Sequence, residues 1–210
     1  PLILLSEISE VTEMKMNKLE KKLVNSKKRE ESNIQLIEHF FTRSGIDLHN
    51  VNEGLDIGCG VGFVARYLND RYEMDVIGVD VDPEQIEFAK EYSRESEGLH
   101  FKVADATQLP FEDNQFDMVL SFMVIHHVGD WRGVLEEVYR VLKPQGAYVL
   151  WEITYPGFIA KAFRSIAKRF GVFTRDELLG YLDDDGHQVV FEERKRHLPF
   201  KTIGLVMSGE

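Results

Sequence analysis

The sequence predicts an α/β fold, a doubly wound and mostly parallel sheet with helices on both faces. Three observations predict it. Short apolar runs alternate with helix-periodic stretches from Gly54 to Ile153, the spacing of βαβ units. The runs are continuously apolar, as in Phe116–Ser121, which suits parallel strands buried on both faces. The chain has 210 residues, of which 43% are hydrophobic and 29% charged. That is enough for one domain, or one domain with a short appendage, to fold without disulfide staples.

Residues 1–32 differ from the rest. They carry seven Lys/Arg and six Glu, and Ile8, Val11, Leu19 and Leu23 recur at rough helical spacing. Residues 1–30 therefore read as an amphipathic helical arm, and 31–210 as a single domain. A helix over Glu30–Ser44 places Ile34, Ile37 and Phe41 on a buried face, and Gly45 ends it. Gly54–Ile57 is a strand that runs into the glycine loop Gly58–Gly62, and Phe63–Tyr72 is the following helix. Asp75–Val79 is the second strand. Asp82 followed by Pro83 starts the next helix, which runs to about Ser93. Leu99–Ala104 is a strand, Pro110–Asn114 a turn and Phe116–Ser121 a strand.

A helix over Asp130–Leu142 carries the stripe Trp131, Val134, Leu135, Val138, Val141 and Leu142. Lys143–Gly146 stops it, and Ala147–Ile153 is a strand. Pro156-Gly157 breaks the chain. Helices follow over Ile159–Phe170 and Thr174–Asp184, the second opened by the capping box Thr174-Arg175-Asp176-Glu177. Val189–Arg196 and Phe200–Met207 form a terminal antiparallel hairpin. The count is seven strands.

Charge and cysteine content narrow the function. A net charge of −11 argues against a dedicated nucleic-acid partner, which needs an excess of Lys and Arg. Basic residues do cluster at Lys161, Arg164, Lys168, Arg169 and Arg175, and again at Arg194–Arg196. A solvated helix face and a sheet edge account for them. The lone Cys59 excludes an internal disulfide and a multi-cysteine zinc site, and suits a reducing cytoplasm. Met118–Ile125, the longest apolar stretch, falls well short of the ~20 residues of a membrane helix. Pro1–Leu5 lacks the basic flank of a secretory signal.

The chemistry begins at Gly58-Cys59-Gly60-Val61-Gly62. Glycines let the backbone turn sharply and let a ligand approach closely. The turn stands at the carboxyl end of the first strand, where open α/β sheets bind ligands. The dinucleotide fingerprint G-x-G-x-x-G/A would require a small residue where Phe63 stands, so a nicotinamide dinucleotide is disfavoured. Asp80 ends the second strand 22 residues after Gly58, where a carboxylate can accept both hydroxyls of a ribose. Asp82 takes the helix-cap role. Asp105 ends the third strand, where it could read an exocyclic amine.

These segments, with Gly78–Asp80, Ala104–Ala106, Phe116–Val119 and Val138–Gly146, resemble the successive motifs of class I S-adenosylmethionine-dependent methyltransferases. The small type 11 branch, which includes ubiquinone/menaquinone-biosynthesis-like enzymes, is the nearest in pattern. The resemblance spans about Asn50–Glu152 and implies a Rossmann-like seven-stranded sheet with an antiparallel last strand. It further implies that Asp56 and the backbone of Gly58, Cys59, Gly60 and Gly62 hold the methionine portion of S-adenosylmethionine. Asp80 would bind the ribose, Val81 would pack on adenine, and Asp105 with Ala106 would read it. Ser121 would offer its carbonyl to the ammonium. Cys59 is a packing residue rather than a reactive thiol.

On the acceptor side, His126 and Glu152 are the catalytic candidates, a loose acid–base pair for an acceptor that must lose a proton. His127 and Tyr155 stand nearby in sequence. No metal site is implied. The Asn/Asp-Pro-Pro-aromatic turn of base-modifying enzymes is replaced by Ser121-Phe122-Met123-Val124. With Trp131, Tyr155 and Phe158, that stretch suggests a small, partly apolar acceptor beneath a lid formed by the arm. Two alternatives share the cofactor: a protein or RNA acceptor docked on Lys161–Arg175, and a non-catalytic S-adenosylmethionine-binding subunit.

Overall fold

The computed structural model describes residues 27–93, 97–164, 169–184, 188–197 and 200–208. The predicted arm lies outside these residues except for its last four, which open a helix. In chain order the elements are α1 (Lys27–Ser44), β1 (Glu53–Ile57), α2 (Phe63–Tyr72), β2 (Asp75–Asp80), α3 (Pro83–Tyr92), β3 (Leu99–Val103), β4 (Phe116–Phe122), α4 (Trp131–Val141), β5 (Leu142–Thr154), α5 (Gly157–Arg164), α6 (Arg175–Asp184), β6 (Gln188–His197) and β7 (Phe200–Ser208). Two short 3₁₀ turns, Leu48–Asn50 and Ile125–His127, were not legible as elements in the sequence.

The seven strands form one sheet in the order β3-β2-β1-β4-β5-β7-β6. All neighbouring pairs from β3 to β5 are parallel, and β7 runs antiparallel to both β5 and β6. The chain winds outward from β1 in both directions, so the order reverses between β1 and β4. A crevice opens at such a reversal, beyond the carboxyl ends of the strands.

One face of the sheet carries α4 and α6, with Trp131, Leu135, Val138, Phe173 and Leu178 buried against Leu55, Val119 and Leu150. The other carries α1, α2 and α3, with Phe40, Leu68 and Ile86 buried against Val76, Leu120 and Val149. Strands covered on both faces must be apolar throughout, which is why their sequences run without alternation. Side-chain hooks agree with the local readings. Asp82 accepts from the Glu84 N–H at 3.1 Å, and Thr174 and Glu177 bond each other's backbone as a capping box.

β5 starts earlier than expected. The predicted stop Lys143–Gly146 is the front of this strand, which pairs Phe116 with Leu142 and then shifts register before Met118. Lys143 donates to Glu53 at 2.8 Å and to Asp117 at 2.9 Å, and Gln145 takes a positive φ of 64°. The ion pairs hold this irregular stretch beside β4, so it extends the strand instead of looping out. Arg140 acts similarly. It donates to the carbonyls of Leu109 and Phe111 and to Asp113 and Glu137, which ties the loop after β3 to α4.

Helix α1 docks through Phe40, which is fully buried against Trp151, Phe122 and Phe191. Gly204 on β7 makes room for it, because a Cβ there would stand 2.2 Å from the Phe40 ring. Glu38 accepts from Tyr67 and Tyr72, which joins α1 to α2. Phe40→Ala should cost about 3–5 kcal/mol of stability by opening a cavity at this joint. A denaturant titration checks it, and a loss under about 1 kcal/mol would show that α1 is not anchored there.

Candidate active site

A cavity of about 320 Å³ opens at the reversal point, lined by residues that follow β1, β2, β3 and β4. Its floor is the glycine turn. Gly58, Gly60 and Gly62 all have positive φ, between 53° and 77°. Two of them also have no room for a side chain. A Cβ on Gly58 would stand 2.4 Å from Val124, and one on Gly62 would stand 2.5 Å from Phe101. Gly62 is thus the point of close helix–sheet approach. Phe63, expected to obstruct that approach, turns into the cavity wall instead. Phe63 is thus no barrier to helix–sheet packing, because Gly62 supplies the close approach.

Asp56 is the penultimate residue of β1, beneath this turn. It is 3% exposed, and its Oδ2 has no hydrogen-bond partner among the described residues. Burial pushes its pKa from 3.8 up to about 8. A backbone hydrogen bond from Ala65 opposes the rise, and the nearby charge of Asp80 adds to it. Burial also raises the Cys59 thiol well above its ordinary value, reinforced by Asp56 and Asp80. Cys59 packs beside Gly78 and is an inert wall residue.

Asp80 stands on the cavity wall with Val81, Asp105 and Ala106. Its Oδ2 accepts from the Gly60 N–H at 3.0 Å and its Oδ1 from the Asp82 N–H at 2.9 Å, so it ties the glycine turn to the end of β2. Asp105 accepts from the Thr107 N–H at 2.8 Å and hydroxyl at 2.7 Å. Ser121 does not reach the cavity. It is fully buried, bonded to the Tyr148 hydroxyl at 2.6 Å, and Phe122, Met123 and Val124 form the wall in its place.

His126 and His127 both line the cavity, their rings 4.0 Å apart. Glu152 does not line it. Its fully buried carboxylate reaches under the 3₁₀ turn and bonds His126 Nδ1 at 2.5 Å. The pair expected to be loose is thus directly bonded. Met123, just before the turn, holds a positive φ of 61°, a strained conformation for a residue with a side chain. Three aromatics named as pocket candidates stand elsewhere. Trp131 packs in the core 4.9 Å from Phe173, Tyr155 lies against Phe163, and Phe158 is 79% exposed. Asn33 of α1, by contrast, lines the cavity. Nothing in its sequence surroundings marks it, because only the docking of α1 brings it there.

Among the described basic residues, Arg164 pairs with Glu177, and Arg175 and Arg194 pair with Glu192. Among the described residues no group of three or more His, Cys, Asp or Glu is placed to hold a metal ion, and no helix is long and apolar enough to cross a membrane.

Residues 55–150 match the family model described as a methyltransferase domain. Residues 55–150 therefore belong to the type 11 branch of the class I S-adenosylmethionine-dependent methyltransferase domains. The chain is 40% identical over 102 residues to the sterol 24-C-methyltransferase erg6 of Aspergillus fumigatus, covering 47% of this chain and 27% of that one. It is 30% identical over 158 residues to the methyltransferase GfsG of Streptomyces halstedii, covering 73% of this chain and 56% of that one. The chain spans between 23% and 32% of the length of four curated relatives, two sterol and two phosphoethanolamine methyltransferases. Among solved structures, the PH0226 protein of Pyrococcus horikoshii is 27% identical with a TM-score of 0.69, covering 89% of this chain and 93% of that one. A sarcosine dimethylglycine methyltransferase from Galdieria sulphuraria shares the fold at a TM-score of 0.71 and 16% identity, covering 83% and 84%.

The family's cofactor is S-adenosylmethionine, and the residues present fit it. A buried carboxylate with an unpartnered oxygen beside a second carboxylate calls for a cation, which an amino-acid ammonium supplies. Gly58 and Gly60 line the cavity, and the space beside Gly60, where a Cβ would meet only Gln85 at 3.9 Å, leaves backbone open to the ligand.

Asp56 generates a prediction with a definite sign. A carboxyl whose pKa is higher folded than unfolded holds its proton longer in the folded state, so stability falls as pH rises from about 4 to about 8. Asp56→Asn should remove that dependence in the ligand-free protein. Its melting temperature should equal or exceed that of the wild type at pH 8, with the gap closing toward pH 4. S-adenosylmethionine affinity should drop ~10-fold or more with the charge-assisted contact gone. Thermal melts across pH and calorimetric titration read the two effects separately.

Proposed function

We propose that this chain transfers the methyl group of S-adenosylmethionine to a small, partly apolar molecule. The observation that carries the reading is that a single cavity is lined both by Asp56, Asp80, Asp105 and the glycine turn and by Phe122, Met123, Val128 and His126. The first set suits a nucleoside with a charged amino-acid tail, and the second suits an apolar body with one polar group. Relatives named for sterols, phosphoethanolamine and tocopherol support a small acceptor.

When bound, S-adenosylmethionine supplies an electrophilic methyl group on a positively charged sulfur. The chain's own residues bind and align. Asp56 and the Gly58–Gly62 backbone hold the amino-acid end, Asp80 takes the ribose hydroxyls, and Val81, Asp105 and Ala106 take the adenine. Phe122, Met123 and Val128 keep water from the acceptor. Alignment of nucleophile and electrophile in one cavity contributes up to ~7–11 kcal/mol in well-oriented systems. His126 accepts the proton that the acceptor loses. The single cysteine and the net charge of −11 support a cytoplasmic setting and a partner other than nucleic acid.

Calorimetric titration tests the cofactor half. S-adenosylmethionine and its demethylated product should bind, and NAD should not. A screen of small acceptors with methyl-labelled donor tests the transfer half. Saturable labelling of an apolar-bodied molecule is the expected result. Binding of NAD in preference, or labelling confined to protein or RNA, would overturn the reading.

A further inference from the structure

We infer that Glu152 is a positioning residue that holds His126 in its Nδ1–H form and leaves Nε2 as a proton acceptor on the cavity. It follows that the methyl acceptor carries a removable proton on oxygen or nitrogen.

The hydrogen-bond count around Glu152 carries the first half. A carboxylate has two oxygens and about four lone-pair sites. Oε2 accepts from the Val124 N–H at 3.0 Å and the Ile125 N–H at 2.7 Å, with the His126 N–H at 3.4 Å beside them. Oε1 accepts from the Ile153 N–H at 2.7 Å and meets His126 Nδ1 at 2.5 Å. Four of these contacts fill the four sites, and the three backbone partners among them can only donate. Three backbone N–H groups aimed at its oxygens stabilise the charged form, so the group is held as an ionised carboxylate facing Nδ1. It can then only accept from the imidazole. In neutral His126 the single ring proton therefore sits on Nδ1, and Nε2 keeps its lone pair.

The second half follows from where that lone pair lies. His126 lines the cavity, and Nε2 has no hydrogen-bond partner among the described residues. It is also absent from the buried polar atoms left without a partner, so it keeps some exposure at a residue that lines the cavity. The same carboxylate holds Val124, whose side chain closes against Gly58, so the imidazole and the glycine turn are set by one group.

Once a bound acceptor displaces water from the cavity, that lone pair needs a donor from the acceptor. A hydroxyl or N–H on the acceptor supplies one, whereas an alkene, thioether or tertiary amine does not. In the transfer the acceptor's X–H bond breaks. Its electron pair forms the new X–C bond as the donor's S–CH3 bond breaks with that pair left on sulfur, and the proton goes to Nε2. The imidazolium formed lies against the Glu152 carboxylate, which stabilises it as the buried acid of a catalytic triad does.

The acceptor half rests on the proposed methyl transfer, and the tautomer half does not, so two measurements separate them. Long-range ¹⁵N–¹H spectra of the ligand-free protein above the titration of its histidines, with His126→Asn for assignment, should show His126 protonated on Nδ1. Glu152→Gln should shift that signal toward the Nε2–H form. A wild-type His126 protonated on Nε2, or a signal unmoved in a folded Glu152→Gln, overturns the assignment. The wild-type spectrum decides this even if the variant does not fold. In the labelled-donor screen, matched pairs with the same apolar body should be labelled when they carry a free O–H or N–H and not when that group is capped. Labelling of the capped members overturns the acceptor half. Failure of both members across the screen overturns the methyl-transfer reading and the acceptor half with it, while the tautomer result stands on its own spectrum.

Discussion

The turn at the end of β1 can exist only where no side chain competes for its space. Val124 closes on Gly58, Phe101 on Gly62, and both glycines hold positive φ. Each neighbour is fixed by its own element. Phe101 is pinned in β3. Val124 is held through its N–H by Glu152, and Gly60 through its N–H by Asp80. The turn is therefore clamped from three directions, which orders the cavity floor in the ligand-free protein.

Three carboxylates near the carboxyl ends of β1, β2 and β5 meet three different fates for the same physical reason, the supply of donors around each. Glu152 is saturated, so it behaves as a fixed structural charge. Asp80 spends one bond per oxygen on backbone and still faces the cavity. Asp56 has one oxygen without a donor, and burial drives its pKa upward. Only the last two have anything to offer a ligand, which separates the cofactor-facing acids from the one that organises the acceptor side.

Much of the fold was legible because burial on both faces and helix capping leave local signatures. The Asp82-Pro83 start, the Thr174–Glu177 box and the apolar run of β4 all mean the same thing in any context. The extension of β5 was not legible. Lys143-Pro144-Gln145-Gly146 has the composition of a turn, and only ion pairs to Glu53 and Asp117 hold it along β4. The aromatic residues show the same limit. Phe122, Trp131 and Phe158 look alike in sequence, yet one lines the cavity, one is core and one is exposed.

Local patterns were enough to place the strands and helices in chain order, the side-chain-free turn and the acids at or just past the ends of β1, β2 and β3. Those features depend on backbone preferences and on patterns within a few residues. Tertiary structure alone decided that Asn33 and Phe63 enter the cavity, that Ser121 stays beneath it and that Glu152 meets His126 across 26 residues of chain. These depend on which strands become neighbours and on which donors surround a buried oxygen, and no local pattern encodes either.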